Sequence, residues 1–261
     1  MSKTTDTIIN AYKMEIKVLR AYLLISFSII VLTYSQYFMF SDKIMEMLGV
    51  ENGVYENLTA VFFFIASIFM FLVYISNKKL LLLFLSILFF VGCAEEINWG
   101  QKIFYFHTPE FMNSINVQHQ FSIHNIEIFN GENFRHEKKS GLSRLLEIGV
   151  LFKMFCIVWG VIVPIMAFHV SFASTIFKKI CLPIPPVSIG MLFIINWVFF
   201  RVILSFMLPP NKSFQYYDTI IELFEYISSY IIMVISLYFY KNKNNDIFMD
   251  IKTNIHKIKS L

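Results

Sequence analysis

Six stretches of about twenty apolar residues leave few folds open to this 261-residue chain: Leu19–Phe40, Leu58–Ser76, Leu80–Ile97, Ile148–Phe168, Val187–Leu208 and Thr219–Tyr240. A helix of that length crosses the hydrocarbon of a bilayer, because each residue adds about 1.5 Å. Hydrophobic residues make up 57% of the chain and charged residues only 15%, with a mean hydropathy of +0.62, more apolar surface than a soluble domain of this size can bury. The pattern predicts an all-α fold, a polytopic membrane helix bundle of about six transmembrane helices with one long structured outer loop.

An even number of crossings puts both termini on one side, and the basic residues select it. Thirteen of them flank the connections on the side of the termini: Lys3, Lys13, Lys17 and Arg20 before the first run, Lys78 and Lys79, Lys178 and Lys179, then Lys241, Lys243, Lys252, Lys257 and Lys259. Seven lie opposite, five of them within the one long loop. The positive-inside rule therefore predicts cytoplasmic termini. The chain divides into a cytoplasmic segment 1–18, a transmembrane domain 19–240 with its outer loop 98–147, and a basic cytoplasmic tail 241–261. The polar lead before the first run, with no small-residue cleavage site after it, reads as an anchor that is retained. The net charge of +4 is explained by topology, so no nucleic-acid partner is expected; membrane lipids are. Cys93, Cys156 and Cys181 lack the spacing of a disulfide framework or a zinc knuckle.

Span direction fixes the depth of every charge. Glu95 and Glu96 fall at the outer end of the third run, Glu147 and Lys153 in the first turns of the fourth, Arg201 two turns from the end of the fifth, and Asp218, Glu222 and Glu225 in the opening turns of the sixth. All share one leaflet. Acids within a spanning helix cost about 2.5–3.5 kcal/mol each on insertion scales, so they pair, bind or react. Glu222 and Glu225 share a helix face at i,i+3, and a divalent metal is one cofactor such carboxylates would hold. The blander alternatives stay open: an ion pair of Glu95 or Glu96 with Arg201 that fixes packing, first-turn acids that complement the helix dipole, and Trp99 and Trp197 as interfacial anchors.

The loop 98–147 is too rich in aromatic and branched residues to be disordered. Thr108-Pro109-Glu110 is a helix start, with Thr as N-cap and Pro at the first position, so a short amphipathic or re-entrant helix is expected over 109–118. Arg135 to Gly141 reads as a solvated tip. His119 and His124 are five apart, not the spacing of a helical metal pair, and no H-E-x-x-H, G-x-S-x-G, P-loop or dinucleotide motif occurs.

The string Glu95-Glu96-Ile97-Asn98-Trp99-Gly100-Gln101, followed by Thr108-Pro109-Glu110, Asn116-Val117-Gln118 and His124-Asn125, resembles a bacterial family of uncharacterised multi-pass membrane proteins. That family carries E-E-x-x-W-G-Q, then T-P-E, N-x-Q and H-N. The resemblance covers about residues 92–125, with a looser echo at Glu222 and Glu225. It implies a bacterial inner membrane and a shared polar site of Glu95, Glu96, Trp99, Gln101, Gln118, His124 and Asn125. An acid that follows N-x-Q in the family is replaced here by His119-Gln120.

Three functions fit these residues. A hydrolase or transferase acting on a lipid or lipid-linked envelope glycan would use Glu95, Glu96 and His124 catalytically, Trp99, Gln101, Gln118, Asn125 and Arg201 to hold substrate, and Glu222 and Glu225 for a metal. A non-catalytic assembly or immunity protein would use the same charges as scaffold. A proton- or cation-coupled transporter would route ions through the acids, although the inner half of the bundle carries few charges and no inverted repeat is evident.

Overall fold

Each apolar run is helical wherever it is described, and the computed structural model describes residues 3–50, 53–135, 137–207 and 214–243, with only the backbone of 3–16, 102, 206–207 and 214–218. In chain order these are α1 (Lys3–Met39), α2 (Asp42–Gly49), α3 (Val54–Asn77), α4 (Leu80–Glu96), two short loop helices α5 (Gln101–Phe104) and α6 (Glu110–Asn113), then α7 (Ile148–Ile157), α8 (Val163–His169), α9 (Ser171–Lys179), α10 (Val187–Val202) and α11 (Phe214–Lys241). Regular structure among the described residues is otherwise limited to 3-10 and π-helical turns and two isolated β-bridges. The protein is an all-α membrane helix bundle.

Five segments are long and apolar enough to cross a membrane: Lys17–Met39, Asp42–Asn77, Ile148–His169, Val187–Ser205 and Thr219–Lys241. At 17 residues, α4 stands at the short end of the spanning range, about 17–25 residues. Its course is set by α3. Lys78 takes a left-handed conformation (φ 55°) and returns its N–H to the Tyr74 carbonyl, so the chain reverses within two residues. Ser86 Oγ then donates to the Ser67 carbonyl at 2.9 Å, and the Phe63 and Phe89 rings stack 6.5 Å apart. Two turns further, the same register puts Glu96 level with Glu56, so α4 climbs back to the height at which α3 began.

The hub is α11. Of its spanning window 67% is buried, against 22–39% for the others, and it packs on α1, α2, α3 and α10. Lipid tails are as apolar as any side chain, so helices here are selected by polar latches and close backbone approach rather than by hydrophobicity. Asn196 supplies the latch: its Nδ2 donates to the Phe224 carbonyl (3.0 Å) and Ser228 Oγ (2.9 Å), while Oδ1 accepts the Tyr34 hydroxyl at 2.7 Å. One amide thus joins α1, α10 and α11.

The close approach lies between Gly160 and Gly190, where a Cβ on Gly190 would collide with the Gly160 carbonyl. Gly160 sits in a π-helical turn, Val158–Ile162, that joins α7 to α8. Beside it Trp159 stacks on Phe155 at 5.3 Å and donates its indole N–H to the Pro183 carbonyl at 3.1 Å.

Helix α1 runs unbroken from Lys3 through the boundary expected at residue 18. The tail from residue 244 and the end of the fifth run at Leu208 lie outside the described residues.

Gly190→Ala should destabilise the bundle by about 1–3 kcal/mol, the usual cost of overpacking. A thermal unfolding midpoint in detergent equal to that of the wild type would contradict the crossing.

Candidate functional site

The end of α4 is a sharp turn. Asn98 (φ 47°), Trp99 (φ 53°) and Gly100 (φ 83°) are left-handed in succession, which stops the helix. For Trp99 that conformation costs about 1–3 kcal/mol and persists only when its surroundings impose it. They do: the indole folds back and Nε1 donates to Glu95 Oε1.

The other oxygen of Glu95 reaches across to the loop. Oε2 accepts the backbone N–H groups of Ile123 (2.8 Å) and His124 (2.9 Å) and meets His124 Nδ1 at 3.1 Å. With the indole, that makes four donors on one carboxylate that is 9% exposed. An anion here is stabilised by charge-assisted hydrogen bonds in place of water. The contact assigns the His124 proton to Nδ1, which leaves the lone pair of the neutral ring on Nε2, in a side chain that is 33% exposed.

Two of the amides expected to hold substrate, Gln101 and Asn125, hydrogen-bond within the loop. Gln101 Nε2 donates to Thr108 Oγ1 (2.8 Å) and the Phe106 carbonyl (3.1 Å), and its Oε1 accepts the Phe121 N–H (2.8 Å). Asn125 is 2% exposed, accepts from Asn130 Nδ2 and donates to Gln120 Oε1. Gln118 is exposed, and its backbone N–H donates to Asn116 Oδ1. The helix expected over 109–118 is a single turn, Glu110–Asn113, and Thr108 does not cap it. The Thr108 hydroxyl donates to the His119 carbonyl, and Asn116 Oδ1 collects the Gln118 and Gln120 N–H groups, which favours a turn over further helix. The tip is exposed at Arg135, Glu137 and Lys138, but the Lys139 ammonium turns in to the Glu127 carbonyl; His136 lies outside the described residues.

A second group of charges faces His124. Glu225 interacts electrostatically with Lys153, His124 and Glu56. A Cβ on Gly149 would lie 3.8 Å from Glu225 Oε1, so this carboxylate rests against the first turn of α7. Lys153, one turn along α7, sets its ammonium 5.5 Å from both the Phe200 and the Phe224 ring. Glu222 is partly buried on the same end of α11, and Glu96 is the electrostatic neighbour of Cys93.

Arg201 is not part of this group. Its side chain is exposed, and among the described residues it makes no hydrogen bond or ion pair, so the cation at the site is Lys153. Nor do Glu222 and Glu225 gain a third ligand: among the described residues no three His, Cys, Asp or Glu side chains lie close enough together to hold a metal ion. Glu56 stands in the sequence just before the second apolar run, which begins at Leu58. It belongs to the first turn of α3, which starts at Val54, ahead of the apolar run, and it is 9% exposed. The signal was an acid at first-turn spacing before that run.

Glu95→Gln keeps the size but replaces one acceptor oxygen by a donor, and leaves buried N–H groups unmatched at about 1–3 kcal/mol each. The Ile123 and His124 amides should then exchange hydrogen faster, with α3 and α11 unchanged. Unaltered exchange at both amides would show that the carboxylate does not hold the loop.

Comparison of the chain with models of protein families, with curated proteins and with solved structures found no match.

Proposed function

We propose that the protein is an enzyme of the outer leaflet of a bacterial inner membrane, a hydrolase or transferase acting on a lipid or lipid-linked envelope glycan. The observation that carries this reading is the Glu95–His124 pair. A carboxylate on Nδ1 fixes the tautomer and rotation of an imidazole and stabilises its protonated form, the arrangement by which acyl-transfer enzymes prepare a general base. In the proposed step, His124 Nε2 removes the proton of a water or substrate hydroxyl as that oxygen attacks the substrate. The same nitrogen then returns the proton to the departing oxygen. Glu95 remains ionised and positions His124.

A second reading has its own support. All four donors on Glu95 come from the protein, and Gln101, Asn116 and Asn125 spend their polar atoms on the loop, as a non-catalytic assembly or immunity protein would require. The two readings separate on His124, whose backbone N–H contact with Glu95 survives substitution of the ring.

Both termini are proposed to be cytoplasmic, with α4 as the sixth crossing. Support comes from the two-residue reversal after α3, from the α3–α4 register and from the distribution of lysine and arginine.

His124→Gln should lower turnover of a membrane lipid extract about 10²–10⁴-fold, with the wild-type unfolding midpoint retained. Products are followed by mass spectrometry of the protein in vesicles. Absence of turnover by the wild type, or equal turnover by the variant, would refute the enzyme. For topology, with Cys181 replaced by Ser, an impermeant thiol reagent should label a cysteine at Arg135 in intact spheroplasts and one at Lys79 only after lysis. Labelling of both sites before lysis would overturn the orientation.

A further inference from the structure

The Lys153 ammonium and the Glu225 carboxyl group are electrostatic neighbours where α7 meets α11 and do not close into an ion pair. Among the described residues the Lys153 ammonium makes no hydrogen bond and no ion pair; it rests on the Phe200 and Phe224 rings, whose centroids lie 5.0 Å apart. Aromatic faces offset a positive charge but accept none of its three N–H bonds in the ordinary way. Glu225 feels Lys153 and likewise has no hydrogen-bond donor among the described residues. Gly149 and Lys153 are four apart on α7 and share a face, so the position beside the carboxylate carries no side chain and the next turn carries the cation.

We propose that these two groups bind the headgroup of a zwitterionic aminophospholipid, with its phosphate on Lys153 and its ammonium on Glu225. A simple anion would satisfy Lys153 but be repelled by Glu225 and Glu56. A simple cation would leave the lysine without an acceptor. A phosphoethanolamine group carries both charges a few bonds apart and supplies a donor for the carboxylate and acceptors for the ammonium. A Cβ built on Gly149 would have only Glu225 Oε1 within 4 Å, so the glycine leaves the approach to the carboxylate open. This names the substrate class for the site read above as an enzyme and rests on that reading for its consequence, but binding is measurable without turnover.

The test is a competition read by native mass spectrometry on the full chain in detergent, with short-chain phosphatidylethanolamine, phosphatidylglycerol and free phosphoethanolamine as probes. The wild type should prefer phosphatidylethanolamine to phosphatidylglycerol by about tenfold or more, and free phosphoethanolamine should compete only weakly. Lys153→Met should weaken binding of both lipids, Glu225→Gln should abolish the preference, and Gly149→Leu should block binding with every charge intact. Equal affinity of the wild type for the two lipids overturns the proposal, and needs no variant to fold. So does free phosphoethanolamine binding as tightly as the lipid, or an unchanged preference in Glu225→Gln. A preference that persists without any turnover refutes the enzyme alone. Hydrolysis dependent on His124 but without headgroup preference refutes the headgroup assignment alone.

Discussion

The carboxylate of Glu95 is where the bundle and its long loop become one object. A charge at the end of an apolar helix is tolerable only if something replaces water around it. Here the replacement is an indole, two backbone amides and an imidazole, all brought by the chain that follows. The dependence runs in both directions: the loop gains a fixed anchor, and the anion gains donors without which it would sit in a medium that cannot solvate it. The left-handed turn at Asn98, Trp99 and Gly100 follows from this. It aims the chain back over the end of α4 so that residues 123 and 124 can arrive.

Below that anchor the bundle obeys a different rule. Apolar contacts do not distinguish a neighbouring helix from lipid, so the few polar atoms between helices and the points of close backbone approach decide the arrangement. Asn196 binds three helices with one amide, and the Gly160–Gly190 crossing brings two backbones together. The exposed faces of the same helices are as hydrophobic as the buried ones. On α3, Phe64, Ile68, Phe71 and Ile75 are exposed while Phe63, Met70 and Val73 are buried.

That symmetry explains what was and was not legible in the sequence. The helices were legible because length and composition alone report them. So was the gathering of Glu95, Glu225, Lys153 and His124 at one end, since antiparallel order fixes depth. Rotation was not. Asn196 and Arg201 are five residues apart on α10, which at about 100° each places them some 140° apart, and with Asn196 turned inward Arg201 faces out. In a soluble protein the apolar face would have revealed the phase; here every face is apolar. The role of Glu95 was equally hidden, because its partners are backbone amides and a ring from nearly thirty residues downstream, and no local spacing records them. Within the loop, Thr108 and Asn116 were ambiguous by chemistry: the same side chains that cap helices also close turns.

The π-helical turn at Val158–Ile162 has a consequence for how this architecture tolerates change. A wider turn holds one residue more than an α-helical path would need, and each added residue advances the helix by about 100°. The face that α7 shows to the polar end and the face that α8 shows to the glycine crossing are therefore phased independently. A single helix carries two interfaces that its ideal periodicity would have locked together. Sequence drift can adjust one while the other keeps its aim.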